Sequence, residues 1–248
     1  MAFLKSILIS ALIAGFVAGA ALTGLQTLKV YPLIFAAEEI ENAGGASAAH
    51  DHGDAKHHSG DATSDQGAVH SHDDEAWMPA DGAERLLYSL LSNVLLGIAL
   101  GLILAAIFAL RHVATWRQGV VWGLAGFIAV NLAPALGLPP ELPGMPAGAL
   151  LARQTWWLST ALFTAGGIAM VFLCHGVIWR VAGVALIALP HIYGAPHPVN
   201  LESAVPATLA ADFTAASLAT NLVFWTILGL LTAEAMARVS RGSESEIA

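Results

Sequence analysis

Six histidines and seven carboxylates lie within the 26 residues from His50 to Glu75. The histidines are His50, His52, His57, His58, His70 and His72, with Asp51, Asp54, Asp73 and Asp74 among the carboxylates between and after them. Neutral imidazole suits zinc, copper, iron and nickel, cobalt falls within the same chemistry, and carboxylates add charge that attracts any of these cations. The spacing is not that of one fixed tetrahedral site. It offers many weak, exchangeable arrangements, as a collecting antenna needs. The plainer reading of the tract is a solvated spacer. The single cysteine, Cys174, excludes an internal disulfide and any zinc cage built on cysteine.

A second candidate is PHIYGAPHP, residues 190–198. Prolines interrupt a helix, and irregular backbone is tolerated at membrane depth only where it lines a cavity or is buried in protein. His191 and His197 on such a stiffened segment could take metal from the tract and pass it on. The plainer role is an interfacial turn in which His191 and Tyr193 anchor a helix end. A third group is polar and lies inside apolar runs: Gln26, Ser92, Asn93, Asn131, Thr160, Thr164, Thr220 and Asn221. Such groups more often join helices than mark a pathway. Asn93, Asn131 and Asn221 are the pathway candidates.

These residues sit in a chain of 248 residues, 56% of them hydrophobic and only 11% charged, against about 25% charged in an average soluble domain. The apolar residues gather in runs at 3–28, 86–110, 119–138, 156–173, 177–193 and 214–233, and roughly 20 such residues cross a bilayer. The fold class is therefore all-α: a polytopic helical bundle of about six membrane spans, or five if 177–193, with Arg180 near its start, does not cross. The division is 1–42 for the first span and its flank, 43–78 for the His/Asp-rich loop, 79–239 for a bundle of about five helices, and 240–248 for a solvated tail. The loop lacks the apolar content to fold alone and is expected to be disordered without a ligand. The N-terminal run is too long for a signal core and reads as a retained helix.

With both termini in the cytoplasm, Lys5, Arg111, Arg117, Arg180, Arg238 and Arg241 fall inside, as the positive-inside rule favours. The His-rich loop then faces outward, with 15 of the 18 acidic residues. Arg85 and Arg153 start inward-running helices and are expected to pair with Glu84, Glu141 or Asp212, or to reach the headgroups. Internal similarity suggests three repeated helix pairs. Trp122, Ala125, Gly126, Gly137 and Pro139 match Trp179, Ala182, Gly183, Gly194 and Pro196, and SLLSNVLLGIALGL from Ser89 matches SLATNLVFWTILGL from Ser217. Parallel repeats of this kind are one layout that transporters use.

Nucleic acid is not an expected partner, because ten Lys and Arg form no basic stripe. There is no phosphate loop, no H-E-x-x-H and no G-x-S-x-G. An enzyme would have to be built on His191, His197 and Glu202, and no enzyme or cofactor is expected.

Several segments together resemble the CbtA family, predicted cobalt transporter membrane subunits. They are AGFVAGAALTGLQ from Ala14, PADGAERLLYSLLSN from Pro79, LAPALGLPPELPG from Leu132, ARQTWW from Ala152, ALPHIYGAPHP from Ala188 and SLATNLVFW from Ser217. The resemblance implies cobalt uptake, often linked to cobalamin synthesis, and a small single-span partner of the CbtB type. The expected partners are thus a divalent ion (cobalt, alternatively nickel or zinc), the lipid of the plasma (inner) membrane, and that subunit. The leading expectation is a channel-like or secondary transporter. The alternative is a non-transporting membrane subunit that binds or senses metal and hands it to a partner.

Overall fold

In the computed structural model, residues 2–49, 79–113 and 115–245 are described, and the histidines of the 50–72 tract lie outside them. The described residues form helices α1 (Ala2–Lys29), α2 (Tyr31–Ala49), α3 (Ala83–Arg111), α4 (Trp116–Phe127), α5 (Ala133–Ala135), α6 (Leu150–Leu173), α7 (Val177–Tyr193) and α8 (Ala207–Ser245). A π-helical turn, Ile128–Leu132, joins α4 to α5. Five helices are long and apolar enough to cross a membrane. The sixth apolar helix, α7, has 17 residues, or about 25 Å at 1.5 Å per residue.

Helix α2 departs from the sequence expectation, which treated residues 31–42 as flank and started the loop at 43. Val30 N–H still bonds to the Gln26 carbonyl at 2.8 Å, so α1 runs almost directly into α2. Pro32 has no N–H and bends the helix there. The bend lays α2 across one end of the bundle, where Val30 and Ala37 are buried with Leu142, Val205 and Phe213. Helix α8 also exceeds the expected 214–233, and its last residues run into the stretch expected to be tail.

The third span is broken. Pro134 cannot donate to a helical carbonyl, and its ring would collide with the carbonyl four residues back in a regular helix. The preceding turn widens instead, and Ala133 N–H bonds to Ile128 five residues back. At the opposite end, Thr115 and Gln118 form a reciprocal capping box that starts α4.

Glycine contacts fix which helices pair. Any Cβ on Gly15 or Gly97 would strike the facing backbone of α3 or α1, and Gly119 with Gly229, and Gly167 with Gly183, show the same close approach. The three crossings join α1 to α3, α4 to α8, and α6 to α7, which are among the most extensive helix contacts. Without hydrophobic drive inside a bilayer, small residues that let backbones meet are how helices associate. The pairs are antiparallel: residues 11, 15 and 19 of α1 meet residues 101, 97 and 93 of α3 in reverse order. Of these, α1 with α3 is one of the consecutive pairs that the internal similarity suggested, whereas α4 with α8 and α6 with α7 are not. Helices α4 and α6 barely touch, and α7 packs on α6 alone among the described helices. The helices that share a motif, α4 with α7 and α3 with α8, nonetheless sit in different pairs.

The main core joins α1, α3, α4 and α8 through Ala14, Leu22, Phe108, Phe127, Phe224 and Leu228. Much of the remaining apolar surface faces outward, including Leu151 and Phe172 of α6 and Ile178 and Ile192 of α7, as expected for a chain whose solvent is lipid.

Candidate functional site

A cavity of about 560 Å³ opens between the π turn, the 139–141 segment, the start of α6 and the middle of α8. Its polar wall consists of Asn131, Glu141, Arg153, Gln154, Ser217 and Asn221. Two of the three pathway asparagines therefore share one space. The π turn matters here because it changes which side of the third span Asn131 occupies. Such bulges inside helices recur at functional sites.

The asparagines are held by their neighbours. Trp225 Nε1 donates to Asn131 Oδ1 at 2.7 Å, across from α8 to the third span. Asn221 Nδ2 donates to the Ser217 carbonyl at 2.8 Å, which leaves its amide oxygen uncommitted. The wall thus offers amide, hydroxyl and carboxylate oxygens. These are hard donors that hold a divalent cation loosely compared with imidazole or thiolate.

Glu141 and Arg153 form an ion pair, Arg153 Nη2 donating to Glu141 Oε2 at 2.5 Å. Pairing with Glu141 was one of the partners expected for Arg153. The rigid segment around Glu141 explains its position. Prolines at 139, 140 and 143 restrict the backbone, Leu142 is 3% exposed, and the Thr214 hydroxyl of α8, which bonds the Ala210 carbonyl at 2.9 Å, lies 3.4 Å from the Pro140 carbonyl. Arg85 pairs with Glu38 of α2 at 2.6 Å and with Asp81 at 3.1 Å, and its guanidinium lies 5.1 Å from the Phe35 ring centroid. Glu38 was not among its expected partners, because only the bend at Pro32 brings α2 within reach.

Asn93 does not line the cavity. Its amide donates to Thr23 Oγ1 at 3.0 Å and to Gln26 Oε1 at 2.7 Å, joining α3 to α1. His191 ends α7 with its Nε2 buried and without a hydrogen-bond partner. Its ring meets Trp156 edge-on, with centroids 5.9 Å apart, and Trp156 Nε1 donates to the Pro190 carbonyl at 3.3 Å. His197 is exposed. Among the described residues, no three His, Cys, Asp or Glu side chains gather as a metal-binding group, so His191, His197 and Glu202 form no such cluster. The tract histidines His50, His52, His57, His58, His70 and His72 lie outside the described residues.

Sequence reasoning missed Gln154 and Ser217 as cavity residues. It also treated Glu141 only as one partner open to Arg85 or Arg153, beside Glu84, Asp212 and the headgroups. Both members of the pair border proline-rich or aromatic motifs, PPELPGMP and ARQTWW, and this was the available signal.

A sequence model of the family described as "Probable cobalt transporter subunit (CbtA)" matches residues 4–237. No curated protein and no solved structure matches the chain.

Proposed function

We propose, from the premise that this chain belongs to the CbtA family of probable cobalt transporter subunits, that it carries cobalt inward through the bundle by way of the Asn131–Asn221 cavity. The observation that carries the reading is the cavity itself: a space of about 560 Å³ among apolar helices, walled by uncharged oxygen donors and one neutralised ion pair. Conduction requires sites that admit an ion and also release it. Amide oxygens meet that condition better than a cage of buried carboxylates.

In this reading the tract histidines collect divalent cations outside the plasma (inner) membrane, and both termini face the cytoplasm. His191 and His197 act at the outer mouth, since α7 ends on the same side of the bundle as the cavity segment 139–141. An inside-negative potential favours inward movement of two charges by about 4.6 kcal/mol at 100 mV. Asn93 is left out of the path, because α1 engages its amide. A small single-span partner of the CbtB type completes the system and links it to cobalamin synthesis.

Cobalt accumulation in cells expressing the chain, alone and with such a partner, tests the reading. The wild type is compared with Asn131→Leu/Asn221→Leu and with His191→Ala/His197→Ala. Uptake that collapses in the asparagine pair supports the cavity as the path, and collapse in the histidine pair supports the mouth. Absence of uptake by the wild type with cobalt, nickel and zinc, under both conditions, overturns transport and leaves a metal-binding subunit.

A further inference from the structure

Among the residues that line the cavity, Glu141 is the one acid and Arg153 the one base. Their side chains are 20% and 26% exposed, so both charges are largely removed from solvent. A strong Arg–carboxylate clamp uses two parallel hydrogen bonds. This one uses a single bond from Nη2 to Oε2, while Arg153 Nε is buried with no partner. The guanidinium is thus incompletely satisfied where it sits.

The two partners are also held unequally. Glu141 stands on backbone restricted by prolines and by the buried Leu142 beside it. Arg153 reaches the cavity on a long side chain from the first turn of α6. An unpaired carboxylate largely withdrawn from solvent is costly, so a positive charge in front of it is favoured.

We infer that Glu141 is the ion-binding carboxylate of this cavity, taking a hydrated divalent cation such as Co²⁺, and that Arg153 is a tethered cation that holds its place between ions. The inference rests on the cavity being the ion path. An arriving cation replaces the guanidinium at Glu141 and finds further oxygens on Asn131, Gln154, Ser217 and Asn221. Return of Arg153 to Glu141 then drives the ion off. One carboxylate thereby serves both binding and release, and an isolated charge never faces the apolar wall.

The test uses the full-length chain in proteoliposomes, with cobalt chloride as the ion. Glu141→Gln keeps size and polarity but removes the charge. Its uptake at low cobalt is expected to fall roughly 10-fold to 100-fold, the range seen when groups supporting a metal site are removed. Arg153→Met keeps the stem but removes the competitor. It is expected to half-saturate at lower cobalt, to turn over more slowly, and to gain more thermal stability from cobalt than the wild type does. A pair that only staples the 139–146 segment to α6 predicts something else: both variants lose stability alike, and cobalt affinity does not improve in Arg153→Met. That result overturns the inference, as does wild-type uptake by Glu141→Gln.

If the wild type transports no metal, the proposed function fails, and the site is judged by binding alone. The full-length chain with its six tract histidines replaced by alanine is then titrated with cobalt and followed by visible absorption. Loss of a bound ion on adding Glu141→Gln upholds the site, and unchanged binding removes it.

Discussion

At the scale of single residues, the same amide chemistry serves two purposes in this bundle. Asn93 spends both of its N–H groups on Thr23 and Gln26 of α1. Asn131 and Asn221 keep part of their hydrogen-bonding capacity turned to a cavity. Asn93→Ala is therefore expected to lower the stability of the purified protein by about 1–2 kcal/mol. Cobalt uptake per folded molecule should stay at the wild-type level. Denaturant unfolding in detergent and uptake normalised to folded protein measure the two quantities. A loss of uptake greater than the loss of folded protein would return Asn93 to the ion path. Nothing in the sequence around Asn93 and Asn221 separates the two roles, because both occupy the same position in a shared motif. What differs is the facing helix, and that is set elsewhere in the chain.

At the scale of helices, contacts between glycines decide the architecture. Gly119 and Gly229 approach so closely that a side chain on either would meet the other's backbone, and backbone cannot swing aside as a flexible side chain can. Gly119→Val is expected to prevent α4 from seating on α8 and to abolish the folded, monodisperse protein. Gly24 is the control, since it sits in α1 with nothing within 4 Å of an added Cβ. Gly24→Ala is expected to stay within about 1 kcal/mol of the wild type, on the stabilising side, through helix propensity alone. Size-exclusion yield and thermal unfolding in detergent check both. Gly15 and Gly19 lie where the backbone of α3 meets α1, whereas Gly24 of the same helix meets nothing. Spacing shows that a small residue is present but not whether another helix arrives there.

At the scale of the whole molecule, the two ends of the bundle are unlike. One end carries α2, the proline-rich 139–146 segment, the end of α7 and the cavity beside Glu141. The Glu38–Arg85–Asp81 group joins the residues before and after the His-rich tract at that end. The described segments on either side of the tract's sequence are thereby joined at the end that carries the proposed path's mouth. Deleting residues 50–78 and measuring uptake over a range of cobalt tests what the tract contributes. The half-saturating concentration is expected to rise on the order of 10-fold, the scale of local enrichment by a charged surface, with the maximal rate retained. A proportional loss of maximal rate would mean that the tract is part of the conducting structure and not a collector.

The sequence by itself determined the class of the protein. Spans, their number within one and the polar tract between the first two follow from the length of apolar runs, and the bilayer imposes that length on each segment independently. The motifs were also enough to reveal the family. Glu141 was legible as one of three acids open to Arg153, since only a short proline-stiffened connection separates the two, but the choice among them was not. Tertiary structure alone decided that α4 meets α8, that α7 rests on α6 alone among the described helices, and that Glu38 reaches Arg85 around the bend at Pro32. It also decided that Asn131 and Asn221, 90 residues apart in the chain, share a cavity while Asn93 does not. The reason is physical. Crossing a membrane is a property of one segment and its solvent, but in lipid every helix offers a similar apolar surface. The choice of neighbour then falls to a few small residues and hydrogen bonds that act only when two distant segments meet.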